Sequence, residues 1–111
     1  MNEDLMEDLD KLTDAIVGVI RANNYEVIDK YHTGRKGIHI DCDGFIIEAY
    51  TYSFIKEVNI WIFYDSSKEG VYTNLAKQFE LMNFIVRTAP EDANASIRDI
   101  PATTGTAKYY D

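Results

Sequence analysis

"HIDCDGFIIEAYTY", residues 39–52, is the stretch whose reading decides the fold. Two alternating runs flank Asp43-Gly44, a pair that readily takes the left-handed conformation of a two-residue type I′ turn. Such a turn sets the register of a hairpin, placing Cys42 opposite Phe45, Ile40 opposite Ile47 and Ile38 opposite Ala49. Side chains alternate across a strand, so these six share one apolar face that needs a cover. The other face pairs Asp41 with Ile46 and His39 with Glu48, then runs on to Tyr50 and Tyr52. That second face raises the functional question, because it carries large apolar and aromatic side chains where water is expected.

The cover comes from either side of the hairpin in sequence. Leu5, Leu9, Leu12, Ile16 and Ile20 recur at spacings of four and three, the stripe of an amphipathic helix. Acidic residues crowd its first turns, where the helix dipole favours them, and "ANN" at 22–24 supplies an end. "YEVIDKYHT" (25–33) reads as a first strand, and "GRKG" (34–37) as the turn that leads into the hairpin. "KEVNIWIFYD" (56–65) is apolar on both faces, with Val58, Ile60, Ile62 and Tyr64 on one and Asn59, Trp61 and Phe63 on the other, as in a central strand.

"SSKE" (66–69) reads as a capping box, Ser66 capping and Glu69 three residues on, opening a second helix with a Val71, Leu75, Phe79, Met82 stripe. Asn83 ends that helix, "FIVRT" (84–88) is a last strand, and "EDANASIRDI" (91–100) is compatible with a short helix. The expected architecture is α+β: a single antiparallel sheet of about four to five strands with two helices, in the order α-β-β-β-β-α-β, and a C-terminal tail. Residues 1–100 form one domain in this reading and residues 101–111 a flexible tail. If both helices cover the Ile40/Ile47/Ile60 face, then Ile46, Tyr50, Tyr52, Trp61 and Phe63 face water; if the second helix crosses over, it buries them. Asp41, His39, Glu48 and Asn59 on that side favour the uncovered face.

Composition bounds the function. Nineteen acidic residues against eleven basic ones give a net charge of −8, the wrong sign for direct contact with nucleic-acid phosphates. Six acids fall within the first 14 residues: Glu3, Asp4, Glu7, Asp8, Asp10 and Asp14. The single cysteine, Cys42, permits no internal disulfide. An acidic start unlike a signal peptide, and the lack of a long apolar run, predict a cytoplasmic protein with no membrane segment.

Chemistry is sparse. His39 and Cys42 lie three apart on one strand, so their side chains point to opposite faces and cannot share a proton. "DCDG" resembles the opening of a calcium loop, but the glutamate of the twelfth position is missing, and two histidines with one cysteine do not space a zinc site. Hence no catalytic residue, metal or cofactor is expected; His39 with Glu48 is the one pair to try if the protein were an enzyme.

What remains is a non-enzymatic protein-binding module with a basic protein as partner. Two surfaces qualify: the acidic helix face of Glu3, Glu7, Asp10 and Asp14, and the aromatic sheet face of Ile46, Tyr50, Tyr52, Trp61 and Phe63. By analogy of size and charge, such a module suits an inhibitor that blocks a nucleic-acid-handling protein, as phage-encoded anti-defence proteins block bacterial nucleases. The alternative is an acidic homodimeric chaperone or adaptor that holds a client segment on the aromatic face.

Overall fold

A computed structural model of the chain describes residues 8–34, 36–52 and 56–91. Within them the order is helix α1 (Leu9–Ala22), strands β1 (Val27–Thr33), β2 (Gly37–Cys42), β3 (Phe45–Tyr52) and β4 (Glu57–Tyr64), a 3₁₀ turn (Ser66–Lys68), helix α2 (Thr73–Leu81) and strand β5 (Ile85–Pro90). The strands lie side by side in chain order, β1-β2-β3-β4-β5. The β2–β3 hairpin has the register its turn dictates, with Cys42 against Phe45, Ile40 against Ile47 and His39 against Glu48.

Both helices cover the same side. Leu12, Ile16, Val17 and Ile20 of α1 and Leu75 and Phe79 of α2 pack with Ile38, Ile40, Ile47, Ala49, Ile60 and Ile62 into one core. Each fully buried side chain of this size contributes about 1.5–3 kcal/mol, so this layer dominates the stability. At the hairpin end Tyr25, Phe45 and Tyr72 close the core as a ring cluster, with centroids 4.6–5.6 Å apart. The second helix therefore does not cross over to the Trp61 side.

Local chemistry explains the boundaries. Asp8 caps α1, its carboxylate accepting from the N–H groups of Asp10 and Lys11 at 3.0 and 3.2 Å. Asn24 and Asn83, at φ 66° and 65°, end the two helices in the left-handed conformation that asparagine tolerates. Asn23 and Gln78 exchange amide hydrogen bonds of 3.0 and 3.1 Å, tying the end of α1 to α2.

Two sequence expectations need correction. The segment after β4 does not open a helix at Ser66. Asp65 is the cap, receiving both the hydroxyl and the N–H of Ser67 (2.7 and 2.9 Å), which hold its carboxyl below the usual range. The turn it caps is one of 3₁₀ type, Gly70 then bends the chain at φ 84°, and α2 starts only at Thr73. Val71, expected on the buried stripe, is exposed, and Tyr72 takes its place in the core. The last strand pairs parallel to β4, Ile60 against Val86 and Ile62 against Thr88. The long connection through α2 carries the chain back to the start of its neighbour, as parallel pairing requires, so the sheet is antiparallel except at this edge. Leu5, the proposed short helix after Glu91 and the proposed tail lie outside the described residues.

Candidate functional site

On the side of the sheet away from the helices, one residue from each strand stands in a single row. Tyr31 is opposite His39, His39 opposite Glu48, Glu48 opposite Trp61, and Trp61 opposite Arg87. The row spans the full width of the described sheet, with side-chain contacts at both ends of it. Tyr31 stacks on the His39 ring at 4.8 Å, nearly parallel. His39 Nε2 lies 2.8 Å from Asp41 Oδ1 and Nδ1 lies 3.4 Å from Glu48 Oε2. The hydroxyl of Tyr50 donates to Glu48 Oε1 at 2.7 Å. Arg87 holds its guanidinium over the Trp61 ring, 5.7 Å from the centroid, and donates to Asn59 Oδ1 at 3.0 Å. Trp61 and Phe63 are parallel at 5.5 Å.

These contacts revise the picture of a wet, greasy face. Ile46, Tyr50, Tyr52 and Trp61 are half-buried. Phe63, expected in water, is only 1% exposed, and Glu48 only 6%. His39 and Asn59 are buried as well. Polar groups on this face were expected to need water; instead they bond to one another, which lifts much of the penalty of burial. A doubly protonated His39 donates to both carboxylates, whereas a neutral ring can donate to one. The arrangement is a rigid, largely satisfied polar and aromatic platform.

The acidic helix face is placed differently. Asp10 and Asp14 are exposed on α1, while Glu3 and Glu7 lie outside the described residues. The exposed carboxylate of Asp10 is 3.3 Å from His32 Nε2 of β1. Asp10 and Asp14 line a groove of about 310 Å³ with Thr13, Lys30, Tyr31 and His32. Tyr31 thus links the row on the sheet face to the groove beside Asp10 and Asp14. Neither Tyr31 nor Arg87 stood out in the sequence. Extending the hairpin's alternation through the 34–37 turn would have found Tyr31; nothing local identifies Arg87, whose place depends on the parallel pairing of β5.

The reactive groups are placed as the alternation of the strand implies. Cys42 is buried in the helix-side core, and burial first, Asp41 second, push its thiol up to about 12. So little thiolate forms near neutral pH that nucleophilic use is disfavoured. Among the described residues, no group of three or more histidine, cysteine, aspartate or glutamate side chains is placed to hold a metal ion. No helix among them is long and apolar enough to cross a membrane. No protein family, curated protein or solved structure matches the chain.

Proposed function

We propose that this protein is a non-enzymatic binding module for a basic protein partner, which it meets on the helix-free face of its sheet. The observation that carries the reading is the row Tyr31, His39, Glu48, Trp61, Arg87, one residue per strand on the side that neither helix covers. Rings held on a five-stranded sheet lose little freedom when a partner docks, which is why rigid aromatic and arginine side chains make strong anchors. The charge of −8 favours encounter with a cationic surface and disfavours nucleic acid itself. Within this class, blocking a nucleic-acid-handling protein is the specific role that size and charge suit best.

The test is capture from a lysate at low salt, in parallel with Trp61→Lys and with Asp10→Asn/Asp14→Asn, all first shown to be folded by circular dichroism. A specific basic partner retained by the parent chain, lost with Trp61→Lys and weakened by the double variant, supports the proposal. A partner retained equally by all three, or one that is acidic, overturns it.

A further inference from the structure

We infer that strand β1 is the docking edge, where an extended basic segment of the partner protein adds to the sheet as a sixth strand. The inference rests on the reading that the partner is basic, and it specifies how that partner binds.

Strand β1 lies at the end of the sheet, with β2 as its neighbour among the described residues. Alternate residues of such a strand direct their N–H and C=O groups away from the sheet, so the backbone is a template for another strand. Every residue from Ile28 to Thr33 is exposed. They include two large apolar side chains, Ile28 at 66% and Tyr31 at 48%. The opposite edge, β5, carries Arg87 and ends in Pro90, so it offers neither acid nor a full set of donors.

Charge selects the occupant. Asp29 and Asp41 are directly opposite one another across β1 and β2, on the same side as Tyr31. Like charges in that position repel, and a cation brought alongside relieves them. A strand laid against β1 would place alternate side chains on this side, next to Asp29 and over the Tyr31 ring, where lysine or arginine gains both a carboxylate and an aromatic face. On the helix side the neighbours are Lys30 and His32, which favour uncharged side chains from the newcomer. Asp10 and Asp14 stand beyond them on α1 and steer the approach.

A second copy of β1 fits less well. With the helices of both copies on one side, antiparallel self-pairing about Lys30 or Tyr31 sets Lys30 against Lys30 or against His32, pairing about Asp29 sets two carboxylates together, and the irregularity between Val27 and Asp29 breaks the ladder there. A lysine and a bulge are what sheets use to keep identical edges apart. A foreign strand with cations on one side only avoids the Lys30 clash and pairs along Asp29–Thr33, past the irregularity.

The experiment titrates the isotope-labelled full chain with a heptapeptide of alternating lysine and valine, and with its glutamate-valine counterpart as control. Amide shifts and hydrogen exchange report the site. The expected result is that the lysine peptide perturbs residues 28–33 and slows exchange of alternate β1 amides by roughly tenfold or more once bound, while the glutamate peptide does neither. Asp29→Asn should weaken the lysine peptide by about two- to fivefold, and Asp10→Asn/Asp14→Asn should chiefly slow its association. Unchanged β1 exchange at saturating peptide, or equal binding of both peptides, overturns the inference. Shifts confined to Tyr50, Tyr52 and Trp61 also overturn it yet leave the sheet-face proposal standing; shifts at β1 sustain the edge, and the capture experiment with Trp61→Lys tests the face separately.

Discussion

Removing the second side chain of the row, His39→Ala, tests whether this polar layer holds the sheet together. His39 is buried, with one nitrogen on Glu48, itself buried in a side chain only 8% exposed, and one face on Tyr31. Taking the ring away from this buried carboxylate, which keeps the Tyr50 hydroxyl, should cost about 1–3 kcal/mol. Loss of the stack adds roughly 0.5–1.5 kcal/mol, whereas the contact with the more exposed Asp41 adds little. The total is about 2–4 kcal/mol out of the 5–15 typical of a domain, which lowers Tm by roughly 8–16 °C for a chain of this size. Urea unfolding followed both by circular dichroism and by Trp61, the sole tryptophan, measures the loss. Adding Glu48→Gln closes a double-mutant cycle, and removing the carboxylate's charge should recover about 1 kcal/mol or more of the deficit. A cost below about 0.5 kcal/mol, or strict additivity of the two changes, would refute the claim that the ring and the carboxylate act as a pair.

Two glycines, Phe63 and Cys42 offer tests of the packing on both sides of the sheet. A Cβ at Gly37 would sit 2.5 Å from the Thr33 carbonyl oxygen, whereas at Gly18 it meets nothing within 4 Å. Gly37→Ala should therefore destabilise by about 1–3 kcal/mol, while Gly18→Ala, in an exposed helix position, should stabilise by about 0.5–1 kcal/mol; chemical denaturation separates the two. Phe63→Ala should cost about 3–4 kcal/mol, as in a core, and a loss near 1 kcal/mol would mean that this ring is wet after all. Because the folded Cys42 thiol is pushed up to about 12 from 9.0, the folded state keeps a proton that the unfolded thiol loses. Stability is untouched below pH 9 and falls by up to about 1.4 kcal/mol per pH unit between 9 and 12. The slope should diminish in Cys42→Ala, and the native thiol should resist a disulfide reagent at pH 8 until the chain unfolds.

The hairpin was legible to the residue because one turn, Asp43-Gly44, fixes a parity that no other register satisfies with an apolar face inward. Helix ends were legible for a similar reason, since Asn24 and Asn83 occupy the left-handed positions. The start of α2 was not, because the serine-rich stretch satisfies a helix cap and a 3₁₀ turn equally well and only Gly70 decides between them. Strand direction at β5 is set by where α2 delivers the chain, and periodicity carries no such information. The candidate site was half legible. Trp61, Tyr50 and Tyr52 follow from alternation along their own strands, but the burial of Glu48 goes with polar contacts to His39 and Tyr50, and that of Phe63 is not visible in the pattern of one strand. Single-strand patterns cannot reveal those partners.

Iodide quenching of Trp61, measured in the free protein and again with the partner retained at low salt, addresses the platform most directly. The half-buried ring should be partly quenched when free and shielded once the partner is bound. Quenching that does not change on binding, or a free ring already beyond the reach of iodide, would mean that the partner docks elsewhere.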